Sequence, residues 1–169
     1  MCGIAGVVDP SLPIENRDTA VARMCSAMVH RGPDDAGAIS VGAASLGMRR
    51  LAVFDPVNGR QPMASADRRF HLVFNGAIYN FRALATELAG LGHSFATQCD
   101  SEVLLAAFAQ WGEACVERLH GMFAFAVWDA REERLFLARD PFGIKPLYLH
   151  QSGSRLLFAS ELNALVASG

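Results

Sequence analysis

One segment of this chain, residues 122–129 with the sequence MFAFAVWD, is apolar at nearly every position. A β-strand that is covered on one face only alternates apolar and polar residues, because successive side chains point to opposite faces. The unbroken run therefore predicts a strand that is buried on both faces. Two stacked sheets with helices outside them would bury such a strand, although the pattern by itself establishes only a mixed α/β domain.

The rest of the sequence supplies strands toward both ends and helices between them. Apolar and alternating segments predict strands near 2–8, 37–41, 44–48, 50–54, 70–74, 134–139, 146–150 and 155–159. Apolar residues at helical spacing predict helices over 18–29, from Asn80 to about residue 90, from about Ser101, and over 161–167.

Composition limits the class of protein. The chain has 169 residues, which suits one domain, and 51% of them are apolar, enough for a sizeable core. The formal net charge is −2 and no run of Lys or Arg occurs, so we expect neither a nucleic-acid partner nor a membrane surface. No stretch approaches the roughly 20 apolar residues that span a bilayer, and the N-terminus lacks the pattern of a secretion signal. We therefore expect a cytoplasmic protein.

The second residue is a cysteine, and it carries the chemistry that we predict. Four cysteines are present without a C-x-x-C pair or a zinc-like Cys/His cluster, so no metal site is predicted. Because cysteine is small, Met1 is removable, and its removal would give Cys2 a free α-amino group. Such an amine has a pKa of ~7.7–8.0 and can act as the base for the thiol of the same residue. The simpler alternative is that Cys2 only begins a buried strand.

Nine segments together resemble the class II glutamine amidotransferase domain, in the order in which that family has them. The segments are MCGIAGVVD (1–9), HRGPDD (30–35), RRLAVFD (49–55), QPM (61–63), FNGAIYN (74–80), CDSE (99–102), GMFAFAVWD (121–129), RDPFGIKPLY (139–148) and FASEL (158–162). The branch that they resemble most is the N-terminal domain of the glutamine-hydrolysing asparagine synthetases. For residues 1–169, the resemblance implies an α+β fold, the four-layer α-β-β-α sandwich of the N-terminal-nucleophile hydrolases.

The resemblance also implies a nucleophile and an oxyanion hole. Cys2 matches the residue that attacks the side-chain amide of L-glutamine, forms a γ-glutamyl thioester and releases ammonia before water yields glutamate. Asn75 and Gly76 match the two donors that stabilise the oxyanion, one through a side-chain amide and the other through a backbone N–H. Taken alone, Asn-Gly would instead predict a type I′ hairpin turn.

Further residues match the positions that bind the amino-acid end of glutamine. Arg50 matches the residue that binds the α-carboxylate, and the backbone of Leu51 and Val53 lines the same pocket in relatives. Asp100 matches the carboxylate that holds the α-ammonium group, and its alternative role is that of a simple helix N-cap. Arg31 lies near the nucleophile in relatives, and its alternative role is to position a turn.

The sequence departs from the family at position 77. Relatives in this branch usually have a glutamate that contacts the amino end of glutamine, where this chain has Ala77. A hydrogen bond to a charged group contributes about 1.5–3 kcal/mol, so we expect weaker glutamine binding with the chemistry retained. An altered donor preference is the alternative.

The resemblance implies a second, ATP-dependent synthetase domain or subunit that receives the ammonia and that this chain lacks. We therefore expect no cofactor in this domain and expect ATP and Mg²⁺ to bind only in the missing synthetase part. Whether two copies of the chain form a homodimer is left open by the sequence. Asparagine synthesis is the leading prediction for the acceptor reaction. Two alternatives remain, a catalytically silent regulatory or docking module of the same fold, and the glutaminase domain of an amidotransferase with a cell-envelope sugar, peptide or phosphoribosyl acceptor.

Overall fold

The computed structural model describes residues 1–52 and 59–169, and within these ranges the chain forms strands in two sheets with helices on their outer faces. The strands are β1 (Gly3–Val8), β2 (Asp35–Val41), β3 (Ala44–Arg50), β4 (Met63–Ala64), β5 (Phe70–Ile78), β6 (Gly121–Asp129), β7 (Arg134–Arg139), β8 (Tyr148–Ser152) and β9 (Arg155–Ala159). The helices are α1 (Ile14–Ala27), α2 (Phe81–Gly90), α3 (Asp100–Trp111) and α4 (Leu162–Ala167), with short 3-10 helices at Val29–Arg31 and Gly112–Arg118.

Both sheets are antiparallel. The first sheet has the strand order β2-β3-β1-β9-β8, so that β1 and β9, from the two ends of the chain, lie side by side in it. The second sheet has the order β4-β5-β6-β7, with β6 between β5 and β7. The apolar run that predicted a doubly buried strand is therefore an interior strand of the second sheet.

The side chains of β6 show why that strand is apolar on both faces. Phe123 and Phe125 pack into a core with α2 and α3, whereas Ala124 and Trp128 pack into a different core against the first sheet. A third core lies between the first sheet and helices α1 and α4. Three cores between four layers form an α-β-β-α sandwich, which confirms the predicted fold class.

Close contact between the strands of the first sheet depends on one glycine. Gly6 lies opposite Phe158 in the pairing of β1 with β9. A Cβ atom added to Gly6 would lie 2.2 Å from the Phe158 ring, well inside van der Waals contact. The ring therefore occupies the space that a side chain on β1 would need, and the sequence has glycine there for packing.

The bounds of several predicted elements differ from the observed ones, and at three of them the difference has a clear physical cause or falsifies a predicted strand. Helix α1 runs from Ile14, directly after Pro13, to Ala27, whereas the sequence predicted 18–29. The start was missed because the exposed first turn has no apolar periodicity. Strand β3 ends at Arg50, so the strand predicted over 50–54 is wrong for 51 and 52, and 53 and 54 lie outside the described residues. The strand predicted at 146–150 begins at Tyr148, after a proline that has no N–H for a sheet ladder.

Among the described residues, no helix is both long and apolar enough to cross a bilayer.

Candidate active site

Strand pairing brings residues from both sheets to one end of the space between them. β1 and β3 pair with Gly3 opposite Arg49, so Cys2 is placed next to Arg50. Side chains two residues apart on a strand share a face. Cys2 therefore points the same way as Ile4, toward the core between the sheets, and Cys2 packs at the margin of that core.

From the opposite sheet, β5 contributes the second half of the site. Val73 lies in the core between the sheets, so Asn75 points the same way from a position nearer the end of the strand. A cavity of ≈ 390 Å³ opens at this end, and Cys2, Arg50, Leu51, Asn75, Gly76 and Asp100 all line it. The sequence predicted a role in the site for all six of these residues, whereas Val53, predicted with them, lies outside the described residues.

The Cys2 thiol is held by the backbone that follows β3. The Leu51 N–H points at Cys2 Sγ over 3.4 Å, and the thiol is 3.6 Å from the Leu51 carbonyl oxygen. Elsewhere, burial raises the pKa of Cys25 to about 11 and that of Cys115 to about 12, so those two thiols stay protonated near neutral pH.

The backbone of Cys2 is fixed by Arg31, a residue in the 3-10 helix after α1. Arg31 Nε donates to the Cys2 carbonyl oxygen over 2.9 Å, and Arg31 Nη1 pairs with Glu161 Oε1 over 3.0 Å. The Arg31 side chain is buried, so the pair is shielded from water and holds its geometry. Of the two roles that the sequence left open, the structure places Arg31 beside the nucleophile.

Asn75 provides a donor that the described part of the chain leaves unused. Its side chain is 1% exposed, and Asn75 Nδ2 has no hydrogen-bond partner among the described residues. An unpaired buried amide destabilises a protein by about 1–3 kcal/mol, so such groups usually mark a ligand or water site. Asn75 Nδ2 is thus available to an oxygen in the cavity that it shares with Cys2.

The backbone N–H of Gly76 points toward the same cavity. Alternate N–H groups of a strand point the same way, and on β5 those of Phe74 and Ile78 turn away from β6. The Phe74 N–H donates to Gln61 Oε1 over 2.7 Å, and the Ile78 N–H donates to Asp100 Oδ2 over 3.0 Å. Gly76 lies between them, and both acceptor residues line the cavity, so its N–H is directed there.

Asn75 and Gly76 lie inside β5, and the hairpin turn that Asn-Gly suggested is wrong. A Cβ atom on Gly76 would lie 2.3 Å from the carbonyl oxygen of Met122 on β6. Glycine is therefore required at this position because the two strands approach each other closely.

Asp100 is the first residue of α3 and joins that helix to β5. The N-cap position belongs to Cys99, so the alternative role of Asp100 as a simple N-cap is wrong. The Asp100 side chain is buried, and its carboxylate accepts from the Ile78 N–H. Burial raises the pKa of Asp100, while N–H donors from Ile78 and the start of α3 act against that rise.

Sequence comparison settles the family of this chain. A family model described as the glutamine amidotransferase domain matches residues 1–169. The chain belongs to the glutamine amidotransferase family.

Curated relatives of this amidotransferase domain are much longer than the chain. Asparagine synthetase [glutamine-hydrolyzing] 3 of Bacillus subtilis is 41% identical over 169 residues, which are 99% of this chain and 28% of the relative. A putative asparagine synthetase [glutamine-hydrolyzing] of Mycobacterium tuberculosis is 40% identical over 185 aligned residues, which cover 98% of this chain and 28% of the relative. The chain thus spans little more than a quarter of the length of these proteins.

Solved structures support the fold of the amidotransferase domain. The glutamine phosphoribosylpyrophosphate amidotransferase of B. subtilis superposes with a TM-score of 0.79 at 22% identity. The match covers 99% of this chain and 44% of that structure. At this identity the likeness establishes a common fold.

One charged residue among those that line the cavity of the amidotransferase domain was not singled out from the sequence. Lys145 lies inside the RDPFGIKPLY segment and is 5% exposed, and it lines the cavity with Cys2. A lone lysine in a loop is usually solvated, so local sequence gave no signal of burial. The described residues contain no group of three or more His, Cys, Asp or Glu side chains placed to hold a metal ion.

Proposed function

We propose that this amidotransferase domain hydrolyses the side-chain amide of L-glutamine, with Cys2 as the nucleophile once Met1 is removed. One observation carries the proposal: Cys2 shares a cavity with a buried Asn75 amide whose Nδ2 donor has no partner among the described residues. A thiol and an unused oxyanion donor on opposite sides of one cavity are the requirements of acyl transfer.

Charged groups in the cavity suit the amino-acid end of glutamine. The Arg50 guanidinium, 4% exposed at the end of β3, binds the α-carboxylate, for which a planar fork of N–H donors is well shaped. Asp100, across the cavity at the start of α3, binds the α-ammonium group. With both ends of the amino acid held, the side-chain amide extends toward Cys2.

The reaction then proceeds in two balanced steps. The α-amine of Cys2 accepts the thiol proton, and the thiolate forms a C–S bond to the amide carbon, while Asn75 Nδ2 and the Gly76 N–H bind the oxyanion. Collapse of this intermediate breaks the C–N bond, and the proton from the α-ammonium group leaves with nitrogen as ammonia. Water, deprotonated by the same amine, attacks the thioester, the C–S bond breaks, and glutamate and the free thiol result.

We further propose that the ammonia serves an asparagine-synthetase-type amidation in a synthetase domain or subunit. The relatives' names and their greater length support this assignment. ATP and Mg²⁺ are then required by that partner, and the glutaminase domain itself needs no cofactor. The predicted cytoplasmic location is consistent with this role.

The test is a glutaminase assay on protein whose mass shows that Met1 is absent. Wild type should release glutamate, and Cys2→Ala should reduce the rate to background because no nucleophile remains. Cys25→Ala is the matched control, since Cys25 packs in the core between α1 and the first sheet and does not line the cavity. Glutamate release that Cys2→Ala leaves undiminished, or a Met1-free wild type that is inactive, would refute the proposal, and the latter would favour the silent module.

A further inference from the structure

Lys145 is the only lysine in the sequence, and the other 14 of the 15 Lys and Arg residues are arginines. It is also buried, at 5% exposure, in the wall of the cavity that contains Cys2. Burying an ammonium group is costly unless its charge interacts favourably with its surroundings. The mechanism described above does not use this group.

The loop before β8 holds the Lys145 backbone on both sides. The Lys145 N–H donates to Asp140 Oδ2 over 3.0 Å, and the Lys145 carbonyl oxygen accepts from Arg139 Nε over 2.8 Å. Asp140 is itself buried and also accepts from the Ile144 N–H over 2.9 Å. This backbone clamp directs the lysine side chain into the cavity rather than to solvent.

The ammonium group ends beside the N-terminus of the chain. Lys145 Nζ lies 3.2 Å from the sulfur of Met1, which is only a weak hydrogen-bond acceptor. No carboxylate oxygen of the described residues forms an ion pair with Lys145. Removal of Met1 takes this contact away and leaves the ammonium group in the cavity that the new terminal residue, Cys2, also lines.

The electrostatics of the site connect Lys145 to Cys2. Burial lowers the pKa of Lys145 and the Arg31 charge lowers it further, while the charges of Cys2 and Asp140 raise it. An electrostatic interaction is reciprocal, so the Lys145 ammonium group and a negatively charged Cys2 sulfur in the same cavity attract each other.

We propose that Lys145 activates the N-terminal nucleophile by stabilising the Cys2 thiolate with its positive charge. Lys145 acts through Cys2 and not on the substrate. This inference rests on the proposed function of Cys2. Other titratable or charged groups face the same region from the surrounding elements, namely Arg31, Arg50, Tyr79, Asp100, Asp140 and Glu161.

The first experiment measures the rate at which iodoacetamide alkylates Cys2 in Met1-free protein as a function of pH, with the site located by mass spectrometry. Lys145→Met keeps the length and apolar stem of the side chain but removes the charge. It should move the midpoint of the rate profile about one unit to higher pH, and Lys145→Arg should restore it. The control is Arg134→Gln, which removes an exposed charge at the other end of β7 and should leave the midpoint unchanged.

An unchanged midpoint in Lys145→Met would overturn the inference. A shift that Lys145→Arg fails to reverse would also overturn it, because the effect would then come from packing rather than charge. The pH profile of glutamine hydrolysis should move with the alkylation profile in the same variants. Alkylation needs no turnover, so a wild type without glutaminase activity would refute the proposed function while the midpoint shift still decided the role of Lys145.

A second measurement needs no variant. In protein labelled with carbon-13 at the lysine Cε, a single resonance reports the titration of Lys145, since the chain has no other lysine. Alkylation of Cys2 with neutral iodoacetamide should lower the titration midpoint of Lys145, because the thiolate that favoured its charged form is gone. A midpoint that does not respond would contradict the inference even if Lys145→Met failed to fold.

Discussion

Asn75 illustrates, at the scale of single residues, how a strand position becomes part of an active site. Its neighbour two residues back, Val73, is an ordinary core residue between the sheets, yet the amide of Asn75 is equally buried and its Nδ2 stays unpaired among the described residues. Such an unpaired donor lowers the stability of the fold unless a ligand accepts its hydrogen bond. In the proposed mechanism the oxyanion is that acceptor.

Replacing Asn75 with alanine should therefore reduce kcat for glutamine hydrolysis by about 10²–10³ with little change in KM, since the donor acts mainly in the transition state. Steady-state kinetics would show this. Asn80→Ala is a matched control, because Asn80 hydrogen-bonds backbone groups of Arg118 and His120 outside the cavity. That variant should lose stability but retain kcat, and equal losses of kcat in both variants would contradict the assigned role.

Ala77 lies on β5 two residues beyond Asn75, in the wall of the same cavity. The family resemblance predicted a glutamate at this position. Ala77→Glu should lower KM for glutamine about tenfold at similar kcat, because a new carboxylate binds the α-ammonium group. Ala77→Gln separates charge from size and should give a smaller gain. If KM is unaffected in a folded Ala77→Glu protein, the departure at this position does not limit glutamine binding.

At the scale of elements, the contacts between strands set the tolerance of the fold. Gly6 has the Phe158 ring where its side chain would be, whereas Gly90, the last residue of α2, has open space around it. The effect of substituting each glycine therefore depends on a different factor. Packing decides it at Gly6, and helix propensity decides it at Gly90.

Gly6→Ala should lower the free energy of unfolding by about 1–3 kcal/mol through overpacking, as measured by denaturant titration. Gly90→Ala should be neutral or slightly stabilising, since alanine loses less conformational entropy than glycine. Similar effects for both substitutions would show that the Phe158 ring moves aside without cost.

Elements were predictable where side-chain patterning is strong. The doubly apolar β6 and the amphipathic α2 follow from their sequences, because burial on two faces and burial on one face leave different patterns. The exposed first turn of α1 has no such apolar pattern, so its start was not predicted. The site itself depends on register, which pairs Gly3 with Arg49 across 46 residues of chain, and local pattern does not encode register. The family resemblance supplied Cys2 and Asn75, but nothing local marked Lys145, whose burial depends on the clamp from Asp140.

At the scale of the whole molecule, the two ends of the chain are joined in one sheet, and a buried carboxylate reinforces that junction. Asp9, just after β1, accepts from the Ser11 hydroxyl over 2.6 Å and pairs with Arg155 of β9 over 3.0 Å. The Ser11 and Arg155 hydrogen bonds together lower the pKa of Asp9 from 3.8 to about 2.

A carboxyl group whose pKa is lower in the folded state stabilises the fold above its ordinary pKa, and this contribution is lost as pH falls from about 4 toward about 2. Asp9→Asn should therefore be less stable than wild type near pH 7, and the difference should shrink to near zero around pH 2. Denaturant unfolding at a series of pH values measures it. A difference that stays constant with pH would mean that Asp9 contributes by packing alone.

The proposed glutamine hydrolysis requires Cys2 to be both the chain terminus and the nucleophile. The direct test uses a sample in which some molecules retain Met1 and others do not, treated with a chloroketone analogue of glutamine and examined by intact mass and peptide mapping. We expect one adduct per molecule, on Cys2, in the Met1-free species alone. Equal labelling of molecules that still carry Met1 would contradict the proposed role of the Cys2 α-amine.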